Sequence, residues 1–306
     1  MKELKEKNFI SAVVYLRDES SAAVPFLSEL DAQLDAHFDQ YEIVAVNDGS
    51  SDDTVELVRQ YAKANLKKPL TILHMSLQQG VEMCMNAGLD MAIGDFVYEF
   101  DSTWMEYDAN LIWQAYQKAL EGNDIVRVCP SRSKGSSRLF YKVFNTFHKS
   151  PYKLHTEAFR LVSRRAINRV HAVSSDLPYR KAAYAASGLK MAELRFEGTV
   201  PSNQYERFGL ATESLALYTD AAYRISLGVA GVMLCLTLAE LIYTLYIFFG
   251  RGGAIEGWTT TMFVLTVGFS GVFAILAMVL KYLSLLVNLV FKKQKYLVES
   301  IEKIQK

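Results

Sequence analysis

The chain has 306 residues, enough for one sizeable domain or two smaller ones. Its 33 basic and 33 acidic side chains cancel, which excludes a general electrostatic affinity for nucleic acid, so no nucleic-acid partner is expected. The cysteines Cys84, Cys129 and Cys235 share no metal-ligand or redox spacing, and we expect them to be small buried hydrophobic residues in a reducing compartment.

The first half of the chain alternates short β-rich runs with amphipathic helical patterns. Its N-terminus, MKELKEKNF, is charged and contains no apolar signal segment, so the first two thirds are predicted to stay in the cytoplasm. Five runs are predicted to be strands: FISAVVYL, YEIVAVN, LTILHM, DFVYEFD and DIVRVC. Their hydrophobicity is continuous rather than alternating, which indicates a mostly parallel sheet covered by helices on both faces.

In a sheet of this kind, ligands bind beyond the carboxyl ends of the strands. The segment VNDGSSDDT follows the second predicted strand, and a capped turn alone would explain its serines and Asp52. Asp48, however, lies directly at the strand end, where a carboxylate can meet a base or a ribose. Asp18 and Glu19 lie in a similar position after the first strand, and Asp101 ends the fourth.

Two long apolar runs follow in the last third of the chain. Leu227 to Phe249 contains one charged residue, Glu240, and Met262 to Leu280 contains none over 19 residues. At about 1.5 Å per residue, the second run reaches roughly 28 Å, close to the hydrocarbon thickness of a bilayer. Both runs are predicted to be transmembrane helices, because buried helices of a soluble core seldom contain uncharged stretches this long.

Lysine distribution predicts the orientation. Residues 281–306 hold six Lys against two Glu, whereas the linker 250–261 has Arg251 as its only basic residue. Since positive charge stays inside, both termini should face the cytoplasm of a two-helix, multi-pass protein of the cell inner membrane. The predicted divisions are 1–225 for the soluble domain, 226–291 for the membrane region and 292–306 for a basic cytoplasmic tail.

Taken in order, several segments resemble the family 2 glycosyltransferases with a GT-A fold. The similarity is greatest to the membrane-bound polyisoprenyl-phosphate glycosyltransferases, including dolichol-phosphate mannose synthase-like enzymes. VNDGSSDDT is the most specific segment, and NAGLDMAIGD, RLFYKVFN and FRLVSRR match later ones. The resemblance covers essentially the whole chain. It implies an α/β fold, a Rossmann-like GT-A domain with a mostly parallel sheet, followed by two transmembrane helices.

The resemblance also implies roles for individual residues on the donor side. It implies that Glu19 and Asp48 help to hold the nucleotide base and that Asp101 lies beside the diphosphate. Gly80 and Asn86 lie in segments shared with the family and are assigned to the same nucleotide-binding set. The segment LQQGV keeps Gly80 but lacks both basic residues that the family usually has in this stretch.

The metal and acceptor motifs depart from the family pattern. The usual D-x-D motif, often followed by Gln, is here Asp101, Thr103 and Met105. A Mg²⁺ or Mn²⁺ cofactor held by Asp101 and Thr103 would therefore bind weakly. In HTEAFR, Ala158 replaces the acceptor-side aspartate, and the neighbouring Glu157 could take its place only if a bulge re-aimed it.

Arg160, retained in FRLVSRR, joins Asp101 and Glu157 as a candidate catalytic residue. The loop PSRSKGSSR offers basic candidates for a lipid phosphate, namely Arg132, Lys134 and Arg138, although a solvated loop explains the same residues equally well. His155, next to this region, is a candidate for the acceptor pocket.

Two functions remain open from the sequence. The first is a membrane-anchored inverting glycosyltransferase that moves a sugar from a nucleotide-sugar donor to a polyprenyl phosphate at the cytoplasmic face. The second is a catalytically impaired scaffold or regulatory subunit of a membrane glycosylation complex, favoured by the missing polar residues. The expected partners are the donor, the lipid acceptor, the bilayer and further copies of the chain, bound through the membrane helices.

Overall fold

The computed structural model describes residues 5–132, 141–142, 145, 152–173, 179–200, separate positions between 228 and 239, 257–291 and 296–305. The chain divides into two compact units. One comprises Met1–Ser214 together with Gln294–Lys306, and the other comprises Leu215–Lys293. The division therefore falls about ten residues before the predicted boundary at 225, and the end of the chain belongs to the first unit.

An eight-stranded sheet forms the centre of the first unit, in the order β7-β5-β6-β4-β1-β2-β3-β8. The strands are β1 Ile10–Leu16, β2 Tyr41–Asn47, β3 Leu70–Met75, β4 Phe96–Phe100, β5 Ile125–Pro130, β6 Phe159–Ser163, β7 Met191–Phe196 and β8 Val298–Ile304. The pairs β1/β2, β1/β4, β2/β3 and β5/β7 are parallel, whereas β4/β6, β5/β6 and β3/β8 are antiparallel. The five predicted strands are confirmed, and the sheet is mixed, with its parallel pairs in the majority.

Helices connect and cover these strands. They are α1 Ala23–His37, α2 Thr54–Asn65, α3 Val81–Met91, α4 Leu111–Leu120, α5 Arg164–Val173 and α6 Arg180–Ala186. Every residue of β1 is buried, as expected for a strand covered on both faces. Aromatic side chains fill the layer between sheet and helices, with Phe26 of α1 packed edge-on against Phe100 of β4 at 5.2 Å between ring centroids.

Two glycines explain why the segment NAGLDMAIGD has its particular composition. A Cβ on Gly88 would lie 2.4 Å from Val13 Cγ1 and 2.8 Å from Val46 Cγ2, so α3 packs directly on β1 and β2 at this point. A Cβ on Gly94 would lie 2.5 Å from the backbone nitrogen of Ser11. Close approach of backbone elements, rather than contact with a ligand, requires glycine at both positions.

The C-terminal residues differ from the tail predicted for 292–306. Val298–Ile304 forms β8, which pairs antiparallel with β3 at the edge of the sheet. Its only buried residue is Ile304, so the strand gains little from apolar burial and instead pairs its backbone with an exposed sheet edge. Arg59 of α2 adds an ion pair to Glu302, with 2.8 Å between Nε and Oε1.

In the second unit, α7 spans Trp258–Phe291, a helix of 34 residues. Among the side chains that the structure describes in α7, the exposed large apolar ones are Leu265, Phe269, Val272, Phe273, Leu276, Val279, Leu283 and Leu286. Counting only the positions that the structure describes, we find no helix with the length and apolar composition needed to span a bilayer. The two transmembrane helices therefore remain a prediction.

Candidate active site

The ends of β2 and β4 bring Asp48 and Asp101 to the same edge of the sheet. β1 lies between the two strands, with Leu16 opposite Asn47 on one side and Val14 opposite Phe100 on the other. Neighbouring strands are about 4.8 Å apart, so the two aspartates follow strand ends that are separated by roughly 10 Å. The central expectation from the sequence, one cleft containing both residues, is compatible with this topology.

Asp48 is fully buried and organises the loop that precedes α3. Its Oδ1 accepts a hydrogen bond from the backbone N–H of Gln79 at 2.6 Å. Its Oδ2 accepts from Gly80 N–H at 3.0 Å and from the hydroxyl of Tyr15 at 2.9 Å. Gly80 has a φ of 84°, a conformation that favours glycine, and it caps α3. The protein's own donors thus occupy the carboxylate predicted to meet the base.

Glu19 lies beside this loop and has a partly exposed side chain. Its backbone N–H donates to Thr54 Oγ1 at 2.8 Å, which ties the end of β1 to the start of α2. Next to it, Asp18 adopts a φ of 48° and accepts a hydrogen bond from Ser51 N–H at 2.7 Å. Within the described residues, no hydrogen bond or ion pair engages the Glu19 carboxylate, which leaves it available to a ligand.

Arg160 gathers three carboxylates at the end of β4. It lies in β6 directly opposite Glu99 of β4. Its Nε donates to Glu157 Oε2 at 2.9 Å, its Nη1 to Glu99 Oε2 at 3.0 Å and its Nη2 to Asp101 Oδ2 at 3.0 Å. Asp101, Arg160 and Glu157, the three predicted catalytic residues, therefore form one connected group, with Glu99 as a fourth member.

Arg180, at the start of α6, makes a second set of contacts that the sequence did not reveal. Its side chain is 0% exposed. It donates from Nε to Glu82 Oε2 at 2.8 Å and from Nη2 to Asp101 Oδ1 at 2.6 Å, and it also binds Glu99. Arg180 and Glu82 are 98 residues apart, so no local pattern links them. A signal was present in the two basic residues that open the helix RKAAYAA, since the rest of it is alanine and one tyrosine.

These contacts set the ionisation of the carboxylates. Burial acts to raise the pKa of Asp101, but Arg180 and Arg160 outweigh it and hold this pKa well below its usual range. The pKa of Glu157 is also lowered, because Arg160, Lys181 and Arg127 overcome the effect of burial. Burial dominates at Glu99, whose pKa is raised despite both arginines.

The predicted cation ligands do not fit Mg²⁺ or Mn²⁺. Both oxygens of Asp101 already accept N–H groups from guanidinium ions, which would repel a divalent cation at the same carboxylate. Thr103 is buried, and its Oγ1 has no hydrogen-bond partner among the described residues, but a neutral hydroxyl adds no charge. The described part of the chain contains no group of three or more His, Cys, Asp or Glu side chains arranged to hold a metal.

A cavity of about 350 Å³ lies at the ends of β5 and β7, next to the carboxylate group. Arg127 connects the two, since it lies 3.8 Å from Glu157 and donates to Glu193, which lines the cavity, at 3.1 Å. Thr156 also lines the cavity and is buried, and its Oγ1 has no hydrogen-bond partner in the described residues. Thr156 thus places a buried hydroxyl directly before Glu157 in the chain.

The same cavity contains three basic side chains: Lys142, His155 and Arg195. Burial, the main cause, lowers the pKa of His155, so this ring is neutral at physiological pH. Of the predicted lipid-phosphate residues, Arg132 is exposed and is not part of the cavity lining, while Lys134 and Arg138 lie outside the described residues. Asn86 is buried within α3.

Comparison with known proteins identifies the fold. The family model described as glycosyl transferase family 2 matches residues 11–185. The structure is similar to a mannosyltransferase from Pyrobaculum calidifontis in complex with GDP-Man and Mn²⁺, with a TM-score of 0.54 and 15% sequence identity, covering 94% of this chain and 89% of that one. This likeness supports the mixed α/β, GT-A-like architecture.

Two relatives in sequence extend over most of the chain. An uncharacterized glycosyltransferase of Synechocystis sp. is 24% identical over 235 residues, which cover 72% of this chain and 73% of the relative. An undecaprenyl-phosphate 4-deoxy-4-formamido-L-arabinose transferase of Edwardsiella ictaluri is 22% identical over 316 aligned positions, covering 98% of this chain and 96% of the relative.

Proposed function

The chain belongs to glycosyl transferase family 2, and we propose that it transfers a sugar from a nucleotide-sugar donor to a polyprenyl phosphate, with inversion, at the cytoplasmic face of a membrane. The observation that carries this proposal is the convergence of the Asp48 loop and the Asp101–Arg160–Arg180 group at one edge of the sheet. The name of the Edwardsiella relative supports a polyprenyl phosphate as the acceptor class.

The donor nucleotide binds beyond the ends of β1 and β2. Glu19 offers a free carboxylate there, while Asp48 holds the Gln79–Gly80 backbone that begins α3. The diphosphate then lies near Asp101, whose side chain is 29% exposed. Arg160 and Arg180 flank that residue and supply positive charge where the diphosphate departs, and such electrostatic stabilisation is a large part of catalysis.

The acceptor phosphate binds on the β5–β7 side of the same group. A phosphate is already an anion, so the nucleophile forms without a strong base. This explains how the reaction can tolerate Ala158 in place of an aspartate. Lys142 and Arg195 of the cavity provide charge for the phosphate, and alignment of the two substrates contributes most of the remaining acceleration.

The apolar C-terminal segments hold the enzyme at the bilayer. A polyprenyl tail leaves the membrane only at a cost of about 0.8 kcal/mol for each exposed CH₂ group, so the enzyme must come to the lipid. The exposed apolar side chains of α7 support this role, because a long apolar stripe is unfavourable in water.

A second candidate function is a scaffold that has lost catalysis. The observation that favours it is the occupation of both Asp101 oxygens by arginines, together with Thr103 where a second carboxylate is usual. A scaffold would keep the fold and could still bind a nucleotide.

Transfer of labelled sugar to undecaprenyl phosphate by the detergent-solubilised chain, tested over a panel of nucleotide sugars, decides between these functions. We expect turnover with at least one donor, and a rate at least about 100-fold lower for Asp101→Asn, because Arg160 and Arg180 lose the carboxylate that orients them beside the diphosphate. Asp124→Asn, a carboxylate paired with Arg165, is the control and should keep its rate. Nucleotide binding without turnover would favour the scaffold, and the absence of any nucleotide binding would contradict the transferase.

A further inference from the structure

The segment that follows α7 in sequence returns to the donor side of the first unit. Leu297, just before β8, has both backbone polar groups bound to one side chain, that of Gln79. Gln79 Nε2 donates to Leu297 O at 2.7 Å, and Leu297 N–H donates to Gln79 Oε1 at 2.8 Å. The side-chain amide of Gln79 thus pairs with a peptide group as another backbone strand would.

Gln79 also forms the backbone contact that the donor side depends on. Its own N–H donates to Asp48 Oδ1 at 2.6 Å, and the next residue, Gly80, donates to Asp48 Oδ2. Gln79 therefore joins two parts of the structure. Its side chain binds the C-terminal segment, and its backbone binds Asp48 at the end of β2. The family usually has a basic residue in this stretch, whereas the glutamine of this chain binds the backbone of Leu297.

Further contacts fix the C-terminal segment on the elements around this loop. Ser76 N–H donates to Leu297 O at 3.1 Å, and the hydroxyl of Tyr296 donates to Asp90 Oδ2 of α3 at 2.8 Å. Glu302 accepts three hydrogen bonds from Arg59 of α2, at 2.8, 3.1 and 2.9 Å. The segment thus contacts β3 and α3, which flank the loop 76–80, and α2, which precedes β3.

We propose that Gln79 is a positioning residue for the donor nucleotide, and that residues 296–304 complete the donor side by holding the loop 76–80 against Asp48. The inference rests on the proposed function, since it concerns the same nucleotide site. Its physical basis is preorganisation: a loop held in its binding conformation loses less conformational entropy when the ligand arrives. The C-terminal strand is then part of the nucleotide site rather than a tail.

Isothermal titration of the full-length chain with UDP and with GDP tests this inference. For Gln79→Ala we expect the Kd for the preferred nucleotide to rise about tenfold, the effect of losing two neutral hydrogen bonds. The matched control is Gln78→Ala, which truncates the exposed neighbour of the same type and should change the Kd less than about twofold. With a nucleotide-sugar, the KM of Gln79→Ala should rise while kcat at saturating donor is kept.

A second variant separates positioning from general stability. A chain that ends at Lys295 should show at least the same rise in Kd, and adding Gln79→Ala to it should have no further effect, because the partner of the Gln79 side chain is already absent. Additive losses, or a Gln79→Ala variant that binds like the wild type, would overturn the inference while the proposed function stands. A wild-type chain that binds neither UDP nor GDP would overturn the proposed function and this inference together.

Discussion

Arg180 and Arg160 each bind three of the buried carboxylates of the site. Arg180 contacts Glu82, Glu99 and Asp101, whereas Arg160 shares two of these carboxylates and adds Glu157. Buried ion pairs are costly to assemble, and removing one partner leaves the others uncompensated. The balance between the buried arginines and carboxylates, rather than any single hydrogen bond, therefore determines whether this part of the protein folds.

Replacing Arg180 by Met should lower the free energy of unfolding by about 3 kcal/mol or more, as expected when a buried pair loses one partner. Urea denaturation of the detergent-solubilised chain measures this change. Arg195→Met is the matched control, because Arg195 also pairs with a glutamate but its side chain is 67% exposed. Its expected effect is below about 1 kcal/mol. Equal stability of the two variants would show that the buried group does not stabilise the fold.

The same residues determine how the site responds to metal ions. Because Asp101 is neutralised by two guanidinium groups, we expect weak Mn²⁺ binding by the wild type and transfer rates that change less than about twofold on addition of EDTA. Thr103→Asp restores a second carboxylate and should raise the Mn²⁺ affinity measured by titration. Ser102→Asp adds the same charge one position earlier and is the control. Wild-type activity that EDTA abolishes and Mn²⁺ restores would contradict this account of the site.

At the scale of elements, the sequence revealed the strands that are buried on both faces. β1 to β5 are continuous apolar runs, and such runs identify central strands. β8 escaped prediction because VESIEKI has an apolar residue only at every third position, which does not match the alternation of a strand, and because its register depends on β3, more than 220 residues earlier. Pairing of this kind is decided by tertiary structure and leaves little local signal.

The candidate site likewise contains some residues that the sequence identified and others that it did not. Asp101 was found because it lies at the end of a predicted strand. Arg160 was found because it lies in FRLVSRR, a segment that resembles the family. The carboxylate of Glu157 reaches Arg160 Nε directly, while its replacement of the acceptor-side aspartate stays a prediction. Arg180 and Glu82 were missed because the residues meet only when α6 is placed over α3 and β4, which no spacing along the chain encodes.

At the scale of the whole molecule, β8 constrains the path of the chain. Residues 1–214 and 294–306 belong to one compact unit, and β8 is hydrogen-bonded into its sheet. If residues 215–293 enter a bilayer, they must therefore cross it an even number of times, since both flanks lie on the same side. Two crossings, the number predicted from the apolar runs, satisfy this condition, and a single anchor would not.

Cysteine accessibility in intact cells tests the predicted topology. Cys84 and Cys129 are buried as predicted, whereas the prediction was wrong for Cys235, which is exposed, so the background variant is Cys235→Ser. We expect a membrane-impermeant maleimide to label Gly253→Cys, in the linker between the two apolar runs, before lysis. Gln305→Cys, beside β8, is the control and should be labelled only after lysis, because the lysine-rich flank stays inside. Protection of Gly253→Cys until lysis would mean that the apolar runs do not cross the membrane. The even-crossing argument would then be satisfied by zero crossings, and α7 would have to bind the bilayer as an interfacial helix.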